Sequence, residues 1–331
     1  MAKAWSRDEI LELARSFQAA CVLAAAADLD LFRALAGEPM PAATLARRLP
    51  ADERATAVLL DALAALSLLD KQGGVYSVPA PVAGALGRTG EGSLLSMVQH
   101  QANCLRRWAT LASTVKAGKP CGRAPSVRGE AADLEAFVLA MNDISGPIAD
   151  AVIRHIEPLE FRCLLDVGGG SGTWTVAFLR ACPSSRAILF DLPEAIPLAR
   201  RRFGEAGLAE RVSLAAGDFY RDALPPGADL AWVSAIVHQN SREENRELFR
   251  KVGAALAEGG RIAIRDILME PSRTEPVAGA LFAVNMLVGS EGGGTYTVEE
   301  LREDLEATGF RDVAVAHREP TMSSILVARK S

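Results

Sequence analysis

Along the second half of the chain, apolar runs typical of strands alternate with segments that have helical apolar spacing. Short apolar runs, each long enough for one buried strand, are separated by longer segments with the apolar spacing of amphipathic helices. The predicted strands are Cys163–Val167, Ala187–Phe190, Val212–Ala215, Leu230–Val233 and Arg261–Ile264, and the helices between them include Ser171–Ala181, Ala195–Ala206 and Glu243–Ala257. This order predicts an α/β fold with a parallel, doubly wound sheet. Two last runs, Val313–Ala316 and Ser324–Ala328, predict an antiparallel hairpin at its edge.

The first hundred residues have a helical pattern instead. We expect a core helix over Ile10–Leu29, a short helix from Pro41 to Leu49, and a longer helix over Asp52–Leu69. A Gly-Gly turn within Lys71–Pro79 predicts a small hairpin after them. Two helices, a longer helix and a hairpin in this order make a winged helix, so we predict an N-terminal domain of that type.

Length and pattern together predict the domain organisation. A chain of 331 residues is longer than one small domain needs. We expect a winged-helix dimerisation domain over residues 1–92 and a sheet domain over residues 159–331. The helical residues 93–158 are expected to link the two and to roof a substrate pocket.

A winged helix raises the possibility of DNA binding, which charge argues against. The longer helix has Arg54 as its only basic residue, with Asp52, Glu53, Asp61 and Asp70 around it. Phosphate binding needs several Lys or Arg side chains on one face. We therefore expect no nucleic-acid partner and a homodimer that forms through the apolar N-terminal surface.

Composition excludes several other classes of protein. The net charge is -5 with acids and bases mixed, and the five cysteines are scattered without a C-x-x-C pair, so no metal site is expected. The N-terminus lacks a signal-peptide pattern, and the apolar stretch Ala19–Ala27 is too short to cross a bilayer. We expect a soluble, cytoplasmic protein without a membrane partner.

The sequence LLDVGGGSG, residues 164–172, is followed by Asp191 at the end of the next predicted strand. A strand that runs into glycines makes a turn against which a ligand can press, and an acid about twenty residues on suits ribose hydroxyls. A dinucleotide fingerprint would require glycine at Thr173, and Asp166 would repel a pyrophosphate but attract a cation. S-adenosylmethionine (SAM) has a ribose and a sulfonium but no phosphate. We expect Asp166, Gly168, Gly170 and Asp191 to bind it; the alternative is a glycine-rich turn without a ligand.

The next strand ends are also predicted to reach this ligand. Asp218 is expected to accept a hydrogen bond from adenine, while Phe219 and Leu192 cover the two faces of the ring. The alternative for this segment is a turn in which Asp218 caps a helix and Phe219 lies in the core.

His238 follows the fourth predicted strand and Asp266 ends the fifth. A histidine at this edge has an ordinary pKa near 6.5, close enough to neutrality to accept a proton. Asp266 can hold one ring nitrogen and leave the other as the base. A capping or packing histidine is the alternative.

The chain resembles the SAM-dependent O-methyltransferases of the caffeate and hydroxyindole type. The resemblance covers nearly the whole chain and rests on the winged helix, RRWATL followed by GKP, LLDVGGGSG, FDLP, AGDFY, the strand-end histidine and GGGTYTVEELREDLEATGF. It implies a class I methyltransferase fold, an interlocked dimer, and a histidine that deprotonates a substrate hydroxyl. It also implies roles at particular positions, with Ser234 standing where plant members have a lysine near the cofactor, His238 as the base and Asp266 where a glutamate often supports it.

Two departures from the family pattern affect the expected chemistry. The usual His-Asp-Trp is here His238-Gln239-Asn240, and Thr295 replaces a second supporting acid, with Glu291 nearby but out of register.

We therefore predict methyl transfer from SAM to a hydroxyl of an aromatic or polyketide-like small molecule. The residues expected to contact this acceptor are Trp108, Met141, Asn142, Asn285 and Met286. The alternative is an enzyme of the same fold that binds SAM without transferring its methyl group and catalyses a hydroxylation or rearrangement. A third hypothesis is a regulator that acts through the winged helix.

Overall fold

A computed structural model describes residues 4–87 and 92–331. The chain divides into two compact units: residues 1–106 with 123–144, and residues 107–122 with 145–331. Residues 107–122 thus group with the second unit although they precede part of the first along the chain.

The first unit is helical with a small sheet. Its core contains Leu31, Phe32, Leu60 and Leu63, which are fully buried. Strands Asp70–Gln72 and Val75–Ser77 form the predicted hairpin, and Met40–Pro41 adds a third antiparallel strand that the sequence pattern did not indicate. The helices are Arg7–Arg15, Phe17–Asp28, Leu31–Ala36, Ala42–Arg48, Glu53–Ala65, Ala80–Leu86, Leu95–Trp108 and Glu130–Ser145.

The prediction of a core helix over Ile10–Leu29 is wrong in its first half. A capping box between Ser6 and Glu9 begins a helix at Arg7, and this helix ends at Arg15 with no buried residue. Together with Phe17–Asp28 it makes a 22-residue run, in which an 18-residue window has a mean hydropathy of 1.4 and is 11% buried. By length and composition alone this run is long and apolar enough to cross a membrane, but core helices of water-soluble proteins meet the same criterion, so the expectation from Ala19–Ala27 is not overturned.

The second unit contains a seven-stranded sheet, as the alternating pattern predicts. The strand order is Phe310–His317, Ser324–Lys330, Leu256–Asp266, Ala228–Ser234, Cys163–Val167, Arg186–Asp191 and Val212–Ala216. Neighbouring strands are parallel except on both sides of Ser324–Lys330, so the antiparallel hairpin at the edge is confirmed.

Helices cover both faces of this sheet. Alternate residues of one strand enter different cores: Leu165 and Val167 pack on one face, and Leu164 packs on the other. The helices of this unit are Leu111–Ala117, Ala149–Val152, Thr173–Ala181, Ile196–Glu205, Arg242–Ala255, Val277–Leu287 and Val298–Glu306. A short parallel pair outside the sheet, Leu268–Met269 with Tyr296–Thr297, was not predicted. The carboxyl ends of the parallel strands meet at one edge, where the candidate residues lie.

Candidate active site

The loop after strand Cys163–Val167 requires glycine for two different reasons. Gly168, Gly170 and Gly172 all have positive φ angles, from 55° to 81°, which side chains rarely tolerate. A Cβ atom at Gly168 would also lie 2.6 Å from Ile236 Cδ1, and one at Gly172 would overlap the ring of Phe203. Gly170 faces open space. The loop is therefore packed at both ends and accessible in the middle.

Asp191 ties this loop to the next strand. Its Oδ2 accepts a hydrogen bond from the Gly170 amide at 2.6 Å, and its Oδ1 accepts one from the Leu192 amide at 2.7 Å. Burial raises the pKa of this carboxyl above its ordinary value. The Leu192 side chain is half exposed beside it. A partly solvated carboxylate held by backbone donors is well placed to accept further hydrogen bonds from hydroxyls.

Asp166 is placed differently from the prediction. Its side chain is fully buried against Gly169 and accepts a hydrogen bond from Thr175 Oγ1 at 2.6 Å. Burial, with a further contribution from the charge of Asp191, raises the pKa of Asp166 to about 7. The expectation that Asp166 presents a negative charge to a cationic ligand is therefore not met, since this carboxyl supports the loop from inside.

The segment after strand Val212–Ala216 has features of both alternatives given above, an adenine-binding segment and a turn that packs on the core. Asp218 Oδ1 accepts a hydrogen bond from the Tyr220 amide at 2.9 Å, which is the turn geometry given as the alternative. Phe219 packs partly against the core, and its ring would lie 3.9 Å from a Cβ atom at Gly168. The Phe219 ring therefore borders the glycine loop.

His238 and Asp266 are in contact at the same edge. His238 Nδ1 lies 2.8 Å and 3.0 Å from the two carboxylate oxygens of Asp266, and both side chains are buried. The Ile267 amide also donates to Asp266 Oδ1 at 2.8 Å, which fixes the carboxylate. Because a carboxylate only accepts, Nδ1 carries a hydrogen, so in the neutral imidazole Nε2 is the proton-accepting nitrogen.

A buried polar network holds the short helical turn Val237–Gln239. Asn240 accepts a hydrogen bond from Tyr220 Oη at 2.5 Å and donates one to Asn245 Oδ1 at 3.0 Å. Asn245 donates to the Val237 carbonyl at 2.9 Å, and Tyr296 Oη donates to the Asn240 carbonyl. Asn240, one of the departures from the family pattern, is therefore a structural anchor of the turn.

The backbone before this turn is strained. Ala235 has a φ of 58°, an unfavourable conformation for a residue with a Cβ atom. Its amide donates to the Arg265 carbonyl at 2.8 Å, and its carbonyl accepts from the Gln239 side chain at 3.0 Å. Gln239, which belongs to the same departure as Asn240, thus stabilises this strained corner. Thr295 Oγ1 donates to the Gly279 carbonyl at 3.4 Å, and the Thr295 carbonyl accepts from the Arg273 side chain at 2.6 Å. The interpretation that Thr295 replaces a second supporting acid stays a prediction.

Arg265 is a residue of this edge that sequence reasoning missed. Its side chain is buried, lies over the Trp174 ring at 4.6 Å, and donates to Ser234 Oγ at 3.2 Å and to Ser323 Oγ at 3.4 Å. Burial lowers the pKa of this guanidinium to about 10. In the sequence, the signal was an arginine that follows the apolar residues Ile262, Ala263 and Ile264 and directly precedes Asp266.

The predicted acceptor residues fall into two groups. Trp108 Nε1 donates to Asn285 Oδ1 at 3.0 Å, and Asn285 and the half-buried Met286 lie on helix Val277–Leu287 in the second unit. Met141 and Asn142 lie in the first unit, on helix Glu130–Ser145, and remain predictions. Within residues 4–87 and 92–331, no three His, Cys, Asp or Glu side chains are placed to hold a metal ion.

Comparison with known proteins identifies the family. Residues 118–311 match the O-methyltransferase domain, and residues 11–86 match the O-methyltransferase dimerisation domain. The chain belongs to the O-methyltransferase family. This methyltransferase is 31% identical over 313 residues to the tetracenomycin polyketide synthesis 8-O-methyl transferase of Streptomyces glaucescens, covering 92% of this chain and 91% of the relative.

Two further comparisons agree. The methyltransferase is 30% identical to the 3-hydroxy-5-methyl-1-naphthoate 3-O-methyltransferase of Streptomyces sahachiroi, covering 92% and 89% of the two chains. Its structure matches that of human N-acetylserotonin methyltransferase in complex with SAM with a TM-score of 0.82 at 25% identity, over 100% of both chains. The predicted class I methyltransferase fold and SAM-dependent O-methyltransferase activity are confirmed, and the alternative of a non-methylating enzyme is not favoured.

The residues at the strand ends fit SAM. The open middle of the glycine loop leaves backbone accessible at Gly170, where a side chain would otherwise stand. Asp191 supplies acceptors suited to ribose hydroxyls, and Leu192 and Phe219 supply apolar surface suited to a flat ring. These features fit a nucleoside without phosphate.

Proposed function

We propose that this methyltransferase methylates a hydroxyl of an aromatic or polyketide-like small molecule, with His238 as general base and Asp266 as its positioning residue. The contact of His238 Nδ1 with Asp266 at 2.8 Å is the observation that carries the proposal, because it leaves Nε2 as a proton acceptor. The two bacterial relatives are named for a polyketide pathway and a hydroxynaphthoate, which supports the acceptor class.

Bound SAM supplies a methyl group on a positively charged sulfur. Transfer of that methyl group to the acceptor oxygen would break its bond to sulfur and release S-adenosylhomocysteine. His238 is placed to hold the hydroxyl proton at Nε2, and the Asp266 carboxylate would stabilise the resulting imidazolium. A phenol has a pKa near 10, so a positioned base matters most for such an acceptor. The ring of Phe282, in edge contact with His238 at 4.8 Å between centroids, limits the positions that the imidazole and the acceptor can take.

We also propose roles for the other residues that the sequence singled out. Backbone at Gly168 and Gly170, with Asp191, Leu192, Asp218, Phe219 and Ser234, would hold SAM, while Asp166 supports the loop. Acceptor contacts would come from Trp108, Met141, Asn142, Asn285 and Met286. The proposed domains are residues 1–92, 93–158 and 159–331.

The test is turnover with a panel of phenols, followed as methyl ether and S-adenosylhomocysteine in equal amounts. The His238→Ala variant should lose about 10²–10⁴-fold in kcat/KM while keeping its affinity for S-adenosylhomocysteine. Equal rates for variant and wild type would remove His238 from the mechanism.

We also propose that the enzyme is a cytoplasmic homodimer without nucleic-acid or membrane partners. Ile10, Leu13 and Phe17 are more than half exposed, and they lie in or beside the segment that matches the dimerisation domain. A second copy would cover this apolar face. In sedimentation equilibrium, Leu13→Glu should shift the protein toward monomer, and Glu12→Gln on the same helix should not. A monomeric wild type at micromolar concentration would refute the dimer.

A further inference from the structure

Trp108 determines how the side-chain amide of Asn285 is oriented. The indole Nε1–H group can only donate a hydrogen bond, and it lies 3.0 Å from Asn285 Oδ1. If the amide were turned over, two donors would face each other. The amide oxygen therefore faces Trp108, and the NH₂ group points away from it.

The position of this NH₂ group follows from helix geometry. Asn285 comes three residues after Phe282 on helix Val277–Leu287, so the two side chains share a face and are about 4.5 Å apart along the helix axis. The ring of Phe282 contacts His238. Phe282 therefore connects the two residues: its ring contacts the proposed base, and it lies on the same helix face as Asn285.

This NH₂ group has no protein acceptor in the part of the chain that the structure describes. Asn285 is half-buried, and within residues 4–87 and 92–331 its side chain has one hydrogen bond, from Trp108 to its oxygen. A half-buried donor that loses water without gaining an acceptor is unfavourable. An acceptor molecule that enters here must supply an oxygen to the NH₂ group.

We propose that Asn285 selects for substrates with a second oxygen acceptor, a carbonyl above all, on the ring system that carries the reacting hydroxyl, and that Trp108 is its positioning residue. This inference rests on the proposed function of the site. The second oxygen of the substrate accepts a hydrogen bond from Asn285 Nδ2 while the reacting hydroxyl faces His238 Nε2. The two contacts together fix the acceptor in the plane of its rings, and so determine which hydroxyl is methylated.

The experiment uses three phenols that differ in one carbonyl: 6-hydroxy-1-tetralone, 7-hydroxy-1-tetralone and the carbonyl-free 5,6,7,8-tetrahydro-2-naphthol. The quantity measured is the ratio of kcat/KM for each ketone to that for the carbonyl-free phenol. Because intrinsic phenol reactivity is the same for every enzyme variant, a change in this ratio between variants reports the hydrogen bond. The two ketones place the carbonyl at different distances from the hydroxyl.

Asn285→Asp is the informative variant, since aspartate still accepts from Trp108 but has no donor to offer. We expect the ratio for at least one ketone to fall about tenfold in Asn285→Asp and in Asn285→Leu. Trp108→Phe, which lets the amide turn, should lower it about threefold. Val277→Ala, at the exposed start of the same helix, serves as the control and should leave the ratio unchanged. A ratio that stays constant in Asn285→Asp would overturn the proposal.

Equilibrium affinities of the same phenols for the protein loaded with S-adenosylhomocysteine give a second readout. A loss of ketone affinity in Asn285→Asp supports the inference even for a phenol that is not turned over, whereas unchanged affinities refute it. Failure of methyl transfer to every phenol would instead count against the proposed function.

Discussion

The glycine loop and the His238 turn lie at the same edge of one sheet but are held in different ways. In the loop, the contacts that fix the structure involve main-chain groups: the amides of Gly170 and Leu192 bond to Asp191. In the turn, side chains bond to other side chains, as in the pairs of Asn240 with Tyr220 and with Asn245. A loop held by its backbone depends on which positions are glycine, whereas the turn depends on which partners are present.

This difference explains what each region tolerates. A change in the loop acts through backbone strain and steric overlap, and its effect falls on the cofactor. A change around the turn acts by leaving a buried polar group without a partner, and its effect falls on the base. The following predictions separate the two regions.

The largest expected effect is on the base. Asp266→Asn keeps the size of the side chain but can donate to Nδ1, which favours the wrong tautomer of His238. We expect kcat/KM to fall about 100-fold, with the affinity for S-adenosylhomocysteine within about twofold of the wild type. A comparable loss of that affinity would show that the two regions are not separable.

In the loop, two glycines provide a matched pair. Gly172→Ala combines a positive φ of 81° with overlap against Phe203, so it should cost about 3 kcal/mol in the free energy of unfolding. Gly170→Ala has a positive φ but open space and should cost about 1 kcal/mol. Urea unfolding measures both. Equal costs would mean that strain alone governs the loop.

In the turn, Asn245→Leu removes the partner of Asn240 and of the Val237 carbonyl. Because both groups are buried, we expect a loss of about 2 kcal/mol in the free energy of unfolding, together with reduced kcat. Gln239→Ala, which removes one exposed hydrogen bond, is the control and should cost about 0.5 kcal/mol. If Asn245→Leu unfolds like the control, the network does not stabilise the turn.

The last effect concerns pH. The pKa of Asp166 is about 7 in the folded protein and about 4 in an unfolded chain, so the folded state holds a proton that the unfolded state releases between these values. The free energy of unfolding should therefore fall as pH rises from about 4 to 7, by up to about 4 kcal/mol, since each unit of difference between the two pKa values corresponds to about 1.4 kcal/mol. Asp166→Asn should lack this contribution in urea unfolding at pH 5 and pH 8.

Asp229 offers the opposite sign as a control. Hydrogen bonds from the amides of Cys163 and Arg162 lower its pKa, so its contribution is lost only as pH falls below the ordinary range of a carboxyl. Removing it by Asp229→Asn should leave the trend from pH 5 to pH 8 in place. If the trend disappears in Asp229→Asn, the pH dependence comes from Asp229 and not from Asp166.

The sequence predicted the features that a local pattern determines. Strand Cys163–Val167 has the predicted bounds, and the other sheet strands are longer than predicted by one to seven residues, because hydrogen bonding continues where apolar spacing stops. Asp266 beside His238 followed from both lying at ends of adjacent parallel strands.

Other features depend on contacts that no local pattern contains. The apolar spacing of Arg7–Arg15 predicts a core helix, but none of its residues is buried in the chain. Only a second molecule could cover this face. The position of Asp166 before the glycines predicts a carboxylate in the site. The alternation of side chains along its strand places it in the interior instead, where it accepts a hydrogen bond from Thr175. The bond between Trp108 and Asn285 joins residues 177 positions apart, and nothing in either neighbourhood specifies it.

The conformation of Ala235 also limits how this protein can change over time. Its φ of 58° is accessible at low cost to glycine and, less readily, to asparagine or aspartate, but not to valine, isoleucine or threonine. Random mutagenesis followed by selection for activity should therefore return a narrow set of residues at this position, whereas the exposed neighbour Gln239 should accept many.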